Sequence, residues 1–254
     1  MNSCTVKFNQ EGNLVATGYI ERDGFIDANF VKAWNLKDKK QEFSLSGHEP
    51  TIWGRIQTVC FSPKESILAS AGIDKTIKIW DTVGKGERGK LIGHSSKINS
   101  IVISPDGKKL ISADAKGVIK IWNIRTSKLL KSVEAHLLPI RCLSVISNPS
   151  QDIFASSSDD YTIKLWKVTD GSLISTLSGH NDSVNSIAFG TDGKILVSGS
   201  DDQTIKIWDI ESSDCLTTLN NEDSATAIAL KPDGEILVSG SQNGYIKIWQ
   251  RENK

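Results

Sequence analysis

Apolar and polar residues alternate along this chain in short stretches, and the stretches recur at a fixed spacing. In residues 179–209, Val184-Asn185-Ser186-Ile187-Ala188-Phe189 alternates with the period of a β-strand. Asp192-Gly193 is a turn dipeptide suited to a hairpin, and Ile195-Leu196-Val197-Ser198 follows as the next strand. Asp201-Asp202-Gln203 turns the chain again before a third strand at 204–208, and a fourth spans 214–219. We label these strands a, b, c and d. No helical stripe of useful length interrupts the pattern, so an almost entirely antiparallel β protein is expected. Strand c is apolar or amphipathic on both faces, which a single four-stranded sheet cannot bury. Radial packing of neighbouring sheets covers both faces and leaves only short edges, the arrangement of a β-propeller.

The same unit recurs along the chain. Thr76-Ile77-Lys78-Ile79-Trp80, Val118-Ile119-Lys120-Ile121-Trp122, Thr162-Ile163-Lys164-Leu165-Trp166, Thr204-Ile205-Lys206-Ile207-Trp208 and Tyr245-Ile246-Lys247-Ile248-Trp249 repeat one phrase, and Phe30-Val31-Lys32-Ala33-Trp34 is a worn copy. Successive tryptophans lie 46, 42, 44, 42 and 41 residues apart, the period of a propeller blade. Gly47-His48, Gly93-His94 and Gly179-His180 stand before strand a, with Ala135-His136 altered. Trp80-Asp81 and Trp208-Asp209 close strand c, relaxed elsewhere to Trp34-Asn35, Trp122-Asn123, Trp166-Lys167 and Trp249-Gln250. With these elements the chain resembles the WD-repeat (WD40) β-propeller family, in the regular style of bacterial arrays. The resemblance covers residues 1–254, expected to be a single domain of six blades ending near Trp34, Trp80, Trp122, Trp166, Trp208 and Trp249.

Strands a, b and c are encoded six times but strand d only five times, so the last blade is expected to be three-stranded. Family members often complete one blade with strands from both chain ends, and that closing strand is missing here. The family most often has seven blades. A six-bladed ring with a weak seam is the favoured arrangement, against a piece of a longer array or a strand borrowed from a partner. Residues 245–249 would then form an open edge inviting strand exchange or self-association.

Composition removes several function classes. Thirty basic and thirty acidic residues cancel, so no overall field recruits nucleic acid or an anionic membrane. The apolar runs are too short to cross a bilayer, and the first residues lack a secretory signal, so a cytoplasmic protein is expected. Cys4, Cys60, Cys142 and Cys215 are scattered without a Cys-x-x-Cys pair, and they are expected to be small buried hydrophobes. The Asp-rich turns lack the ligand spacing of a calcium loop. Gly84-Lys85-Gly86-Glu87-Arg88-Gly89-Lys90 has the spacing of a phosphate-binding loop. Leu91 stands where Ser or Thr would hold magnesium and no helix follows, so a solvated loop between strands c and d is expected. No cofactor is expected.

The candidate chemistry is a repeated polar set. A serine lies ten residues before each tryptophan (Ser70, Ser112, Ser156, Ser198, Ser239), and an acid lies six before in three copies (Asp74, Asp160, Asp202). Together with His48, His94, His136 and His180 these could be taken for hydrolase triads. Repetition argues otherwise, because catalysis needs one activated nucleophile in one cleft. A buried indole N–H needs an acceptor. The family resemblance implies that Asp, His, Ser and the Trp at positions 80, 122, 166 and 208 form a structural hydrogen-bonded chain. That chain ties strand c to the loop before strand a, and all four histidines are used by it. The third copy has Lys116 at the acid position, the last has Asn243 there and Asn221 for histidine, and the first offers only Thr17 for serine. The first and last blades are therefore expected to be the least rigid.

Two insertions break the period. Residues 19–30 add Phe25, Ile26 and Phe30 with charges between strands b and c, and residues 49–55 lengthen the approach to the second strand a with Trp53 and Arg55. In a propeller these loops share one rim face. Trp53, Arg55, Phe25 and Phe30 are expected to form a partner-binding patch, unless the insertions merely cover each other. A second candidate on that face is Leu137-Leu138-Pro139 with Arg141, which a locally buried loop would also explain. The expected function is a non-enzymatic scaffold or sensor module of the kind found in signalling proteins, binding other proteins. The alternatives are a propeller enzyme with a central-channel site and a structural subunit completed by a partner strand.

Overall fold

The computed structural model describes residues 6–23, 26–49, 55–148, 151–231 and 233–251, and within 21–28 the backbone alone. The described residues form twenty-three strands and no helix. The chain divides into two compact units, Met1–Val133 and Glu134–Lys254.

In the first unit, sheet one contains β1 (Val6–Phe8), β2 (Leu14–Asp23), β3 (Ile26–Asn35) and β4 (Lys40–Ser46). Sheet two contains β5 (Ile56–Phe61), β6 (Ile67–Gly72), β7 (Thr76–Asp81) and β8 (Gly86–Ile92). Sheet three contains β9 (Ile98–Ile103), β10 (Lys109–Asp114), β11 (Val118–Asn123) and β12 (Lys128–Glu134). In the second unit, sheet four contains β13 (Ile140–Val145), β14 (Ile153–Ser158), β15 (Ile163–Lys167) and β16 (Leu173–Leu177). Sheet five contains β17 (Val184–Phe189), β18 (Ile195–Ser200), β19 (Thr204–Asp209) and β20 (Cys215–Asn220). Sheet six has only β21 (Ala225–Leu230), β22 (Ile236–Ser241) and β23 (Ile246–Gln250), the three-stranded sheet expected from the strand count.

Each sheet is a meander because consecutive strands are joined by tight turns. The turn between the second and third strands needs one left-handed residue, five positions before the tryptophan. Lys75, Tyr161 and Gln203 take that conformation, with φ of 63°, 70° and 67°, and glycine supplies it at Gly117. In four sheets the outer strand carries a bulge beside the tryptophan, so that Trp80 pairs with Glu87 while Ile79 pairs with Gly89. The same shift recurs at Trp34, Trp166 and Trp208.

Within each unit, one rule packs sheet on sheet. The aliphatic residues of a third strand form one face, and the indole of the following sheet is pressed against it. Ile77, Ile79 and Leu91 of sheet two share a buried cluster with Trp122 of sheet three. Val31, Ala33 and Leu45 of sheet one meet Trp80, and Ile163, Leu165 and Leu177 of sheet four meet Trp208. Ile205 of sheet five meets Trp249, which packs at the margin of its cluster. Both faces of strand c are therefore apolar because each serves a different neighbour.

Three expectations are corrected. Residues 19–30 are not a loop: β2 and β3 stay in register from Leu14↔Asn35 to Asp23↔Ile26, so the insertion lengthens a hairpin. Likewise the glycine-rich stretch after Gly84 is already strand from Gly86, because the outer edge of β7 offers it a hydrogen-bonding partner. The cysteines also differ from one another. Cys60 is buried, with its thiol pushed up to about 12 by desolvation, whereas Cys142 is half-buried and Cys215 is exposed on an outer strand.

Candidate functional site

The recurring polar set lies at the junction of three elements in sheets two to five. The histidine sits in the loop before the first strand, the serine in the middle of the second, and the tryptophan at the end of the third. Antiparallel register brings serine and tryptophan together. Ser70 faces Lys78 and Leu68 faces Trp80, so the indole reaches along its own strand to the serine hydroxyl.

In sheet two, Trp80 Nε1–H donates to Ser70 Oγ at 2.7 Å, His48 Nε2 lies 2.7 Å from the same oxygen, and His48 Nδ1 lies 2.8 Å from Asp74 Oδ2. Sheet four repeats this with Trp166, Ser156, His136 and Asp160, all at 2.8 Å. Sheet five repeats it with Trp208, Ser198, His180 and Asp202 at 2.8, 2.7 and 2.8 Å. A single proton assignment satisfies every group. The indole N–H donates to the serine oxygen, the serine O–H donates to Nε2, and Nδ1–H donates to the carboxylate. The glycine of the Gly-His pair has its own reason. A Cβ on Gly93 would stand 3.1 Å from Cη2 of Trp122, and its φ of 157° is one that side chains rarely adopt.

Sheet three corrects the sequence reading. The Lys116 side chain is not the acid's substitute, yet the chain is complete: Trp122 to Ser112 at 2.8 Å, Ser112 to His94 at 2.7 Å, and His94 Nδ1 to Asp114 Oδ2 at 2.8 Å. The acid has moved two positions back, from the turn to the end of β10. There it also accepts the amides of Lys116 and Val118, at 2.9 and 3.1 Å. In sheet six Asn221 replaces histidine. Ser239 Oγ donates to Asn221 Oδ1 at 2.8 Å, Asn221 Nδ2 donates to Ser241 Oγ at 3.0 Å, and Trp249 reaches Ser239 at 3.0 Å. Asn243 stays outside that network, its Oδ1 accepting the Tyr245 amide. In sheet one, Thr17 Oγ1 bonds to the neighbouring Gly18 carbonyl. Trp34 and Trp249 are half-buried, so four of the six repeated indoles are fully enclosed.

Electrostatics follow from burial. Desolvation pushes Asp202 up, but the Thr204 hydroxyl, the Asn181 amide and His180 outweigh it and hold the carboxyl at about 2. Asp74, Asp114 and Asp160 are also held below the usual carboxylate range, burial again being outweighed by hydrogen bonds. Burial lowers His136 and His180, with Asp160 and Asp202 only partly opposing it, so both rings favour the neutral form. The threonines that brace the acids were not among the candidates. Thr162 and Thr204 donate to Asp160 and Asp202 at 2.6 Å. The recurring Asp-x-Thr spacing was the signal for them.

Asp–His–Ser is the connectivity of a hydrolase triad, and here it occurs four times. Yet Ser70, Ser112, Ser156 and Ser198 have no exposed surface, and each hydroxyl oxygen already accepts an indole N–H. What these groups can do is hold the end of one strand to the loop before another. They are braces.

The candidate partner residues are distributed as follows. Phe25 and Trp53 lie outside the described residues. Phe30 and Arg55 are half-buried, and Lys32 Nζ stands 5.6 Å from the Phe30 ring and 3.8 Å from that of Tyr19. Asn29 Nδ2 donates to the Glu49 carbonyl at 3.3 Å, which brings the lengthened hairpin to the loop before β5. In the second unit, Leu137 is 94% exposed and Leu138 46%. Arg141 Nε lies 2.5 Å from Asp159 Oδ1. That loop is anchored: Ser158 Oγ donates to the Leu138 carbonyl at 3.2 Å and the Asp159 amide to that of Pro139 at 3.0 Å.

Antiparallel meanders of three or four strands, five of them closed by a braced tryptophan, are the blades of a β-propeller. The chain belongs to the WD domain, G-beta repeat family, whose pattern matches residues 39–81, 86–123, 127–167, 171–209 and 213–250. It is similar to Protein hir1 of Schizosaccharomyces pombe, 29% identical over 202 residues that cover 69% of this chain and 21% of that protein. Nuclear distribution protein nudF of Aspergillus niger is 32% identical over 189 residues, 66% of this chain and 41% of its own length. Pre-mRNA-processing factor 19 of Caenorhabditis elegans is 29% identical over 178 residues, 69% of this chain and 35% of its own. The chain thus spans less than half the length of each of these relatives. Among the described residues no helix is long and apolar enough to cross a membrane.

Proposed function

We infer that the chain is a non-enzymatic protein-interaction module, a rigid scaffold or sensor platform of the kind used in signalling, that binds other proteins through its loops. One observation carries this reading. The recurring polar groups are spent inside the sheets, while Leu137 and Leu138 project from a loop held at His136 before them and at the Leu138 and Pro139 carbonyls. A fixed loop displaying apolar side chains binds without the cost of ordering itself first. Leu138 and Arg141 form one proposed contact patch, and Trp53, Arg55, Phe25 and Phe30 another. Family membership supports the choice, since a repeat fold of this kind is a frame on which variable loops are presented. The match to residues 127–167 runs through the division between the two units, which supports treating 1–254 as one domain. Cys60 and Cys215 are free thiols, in keeping with work in the reducing cytoplasm.

The test is affinity capture with the wild-type chain and with a Leu137→Ser/Leu138→Ser variant of unchanged melting temperature. Loss of one or more specific partners from the variant is expected. An identical set of partners with both chains, and with Trp53→Ala, would remove both patches from the account. The alternative of a subunit completed by a partner strand is favoured by sheet six, where among the described residues β23 pairs only with β22.

A further inference from the structure

Asn243-Gly244 is the single Asn-Gly pair in the chain, and it lies in the turn between β22 and β23. Asparagine is a chemically labile residue, most of all where the next residue leaves its main-chain nitrogen unhindered. Glycine does so. Gly244 has a φ of 89°, in the left-handed region that favours glycine, and a Cβ built there would meet nothing within 4 Å. Asn243, Gly244 and Tyr245 are all exposed. Asn185, which precedes the small Ser186, is held quite differently. Its Nδ2 donates to Asp201 Oδ1 at 2.7 Å, and Ser186 is paired with Gly199 inside the ladder of β17 and β18.

The other sheets show what an acid at this place does. Asn243 stands six residues before Trp249, where sheets two, four and five carry Asp74, Asp160 and Asp202. The Oδ1 of each acid accepts the amide two residues on, from Thr76 at 3.2 Å, Thr162 at 3.1 Å and Thr204 at 2.9 Å. Asn243 Oδ1 accepts the Tyr245 amide at 3.1 Å in the same way. An aspartate here keeps that bond and makes it charge-assisted. An isoaspartate does not, because its main chain runs through the former side-chain carbon and is one atom longer. Either product adds a negative charge to a turn that Asp223 already touches, its Oδ2 accepting the Asn243 amide at 2.9 Å.

We propose that Asn243 is a site of spontaneous deamidation, and that the isoaspartate it yields is a substrate for a methyltransferase that esterifies isoaspartyl carboxylates. The Gly244 nitrogen gives up its proton to solvent and bonds to the Asn243 side-chain carbonyl carbon. The bond from that carbon to Nδ2 breaks, and ammonia leaves with a proton from water. One water then opens the resulting succinimide ring at either carbonyl, giving aspartate or isoaspartate. The sum is one water consumed and one ammonia released, with no change of oxidation state. In the closed turn the Gly244 N–H donates to the Ser241 carbonyl at 3.0 Å, so attack waits for local opening. Sheet six favours that opening, since its brace ends at Asn221 and Trp249 is only half-buried.

The test ages the folded full chain in mildly alkaline buffer beside a free peptide of residues 239–248. Conversion is followed by peptide mapping with mass spectrometry, and isoaspartate by methyl transfer from a labelled donor. Aspartate and isoaspartate are expected at 243, roughly tenfold more slowly than in the peptide, as for a turn of low local stability, with Asn185 unchanged. An Asn243→Ser chain should lose the methyl label, and an Asn243→Asp chain should melt close to the wild type because the turn accepts that product. Asn243 still intact when the peptide has long been converted would overturn the proposal. So would conversion of Asn185 at the same rate, or a methyl label that persists in the Asn243→Ser chain. A large loss of melting temperature in the Asn243→Asp chain would show that the turn does not accommodate the acid.

Discussion

Sheet three is missing one residue of the repeated set and sheet six two, and they respond differently. Sheet three lacks the acid in the turn, but Asp114 at the end of β10 reaches His94 at the same 2.8 Å found in the other sheets. Sheet six lacks the histidine, and the shorter Asn221 links Ser239 to Ser241 without recruiting any acid. Trp122 is enclosed; Trp249 is half-buried. The requirement is thus an unbroken path of donors and acceptors from indole to carboxylate, and a residue's place in the sequence matters less than its reach. When the ring is lost, the path shortens and the wedge it holds loosens.

That contrast can be broken most severely at the wedges themselves. Trp122→Ala removes a buried indole from the cluster between sheets two and three and should cost about 3–5 kcal/mol, read from denaturant unfolding. Trp249→Ala should cost clearly less. Equal losses would mean that the two sheets are equally tight. Next in size is the displaced acid. Asp114→Ala leaves the buried Nδ1–H of His94 without its acceptor and should cost about 1–3 kcal/mol. Lys116→Ala, at the position suggested by spacing, should change stability by no more than about 0.5 kcal/mol. The reverse ranking would restore the spacing rule.

A milder effect is expected from acid. His136 and His180 are held below their ordinary 6.5 when folded, so the unfolded chain binds protons first. Their contribution is complete above 6.5 and fades as the pH falls below it. The carboxylates act in a lower window, Asp202 losing its contribution between 3.8 and about 2. Denaturation midpoints taken from pH 8 downward should therefore fall in two stages. His136→Gln/His180→Gln should flatten the first stage, and an unchanged first stage would show that these rings are not kept neutral.

Much of this architecture was legible in the sequence because two periods are superimposed. The alternation within each strand gives the sheets, and the spacing of the tryptophans gives their number and the missing outer strand. The strands read at 184–189 and 195–198 coincide with β17 and most of β18. The serine of each brace was readable because it keeps its offset of ten residues from the tryptophan, and the histidines because they follow the glycine or alanine before strand a. Asp114 was not, since a residue at the end of a strand and one in the following turn reach the same imidazole, and spacing alone cannot reveal this. The long hairpin of β2 and β3 was hidden for another reason. Extra residues read as a loop unless both sides of the turn are seen to pair. The three-stranded last sheet was expected from the strand count.

The central claim is that the Asp–His–Ser sets exist to hold tryptophans in place, and the indole protons test it most directly. Native-state hydrogen exchange followed by NMR on the indole N–H groups should find those of Trp80, Trp122, Trp166 and Trp208 strongly protected. Trp249 should exchange faster and Trp34, for which no brace is described, faster still. Rapid exchange at the four central tryptophans, or equal protection at all six, would contradict the account.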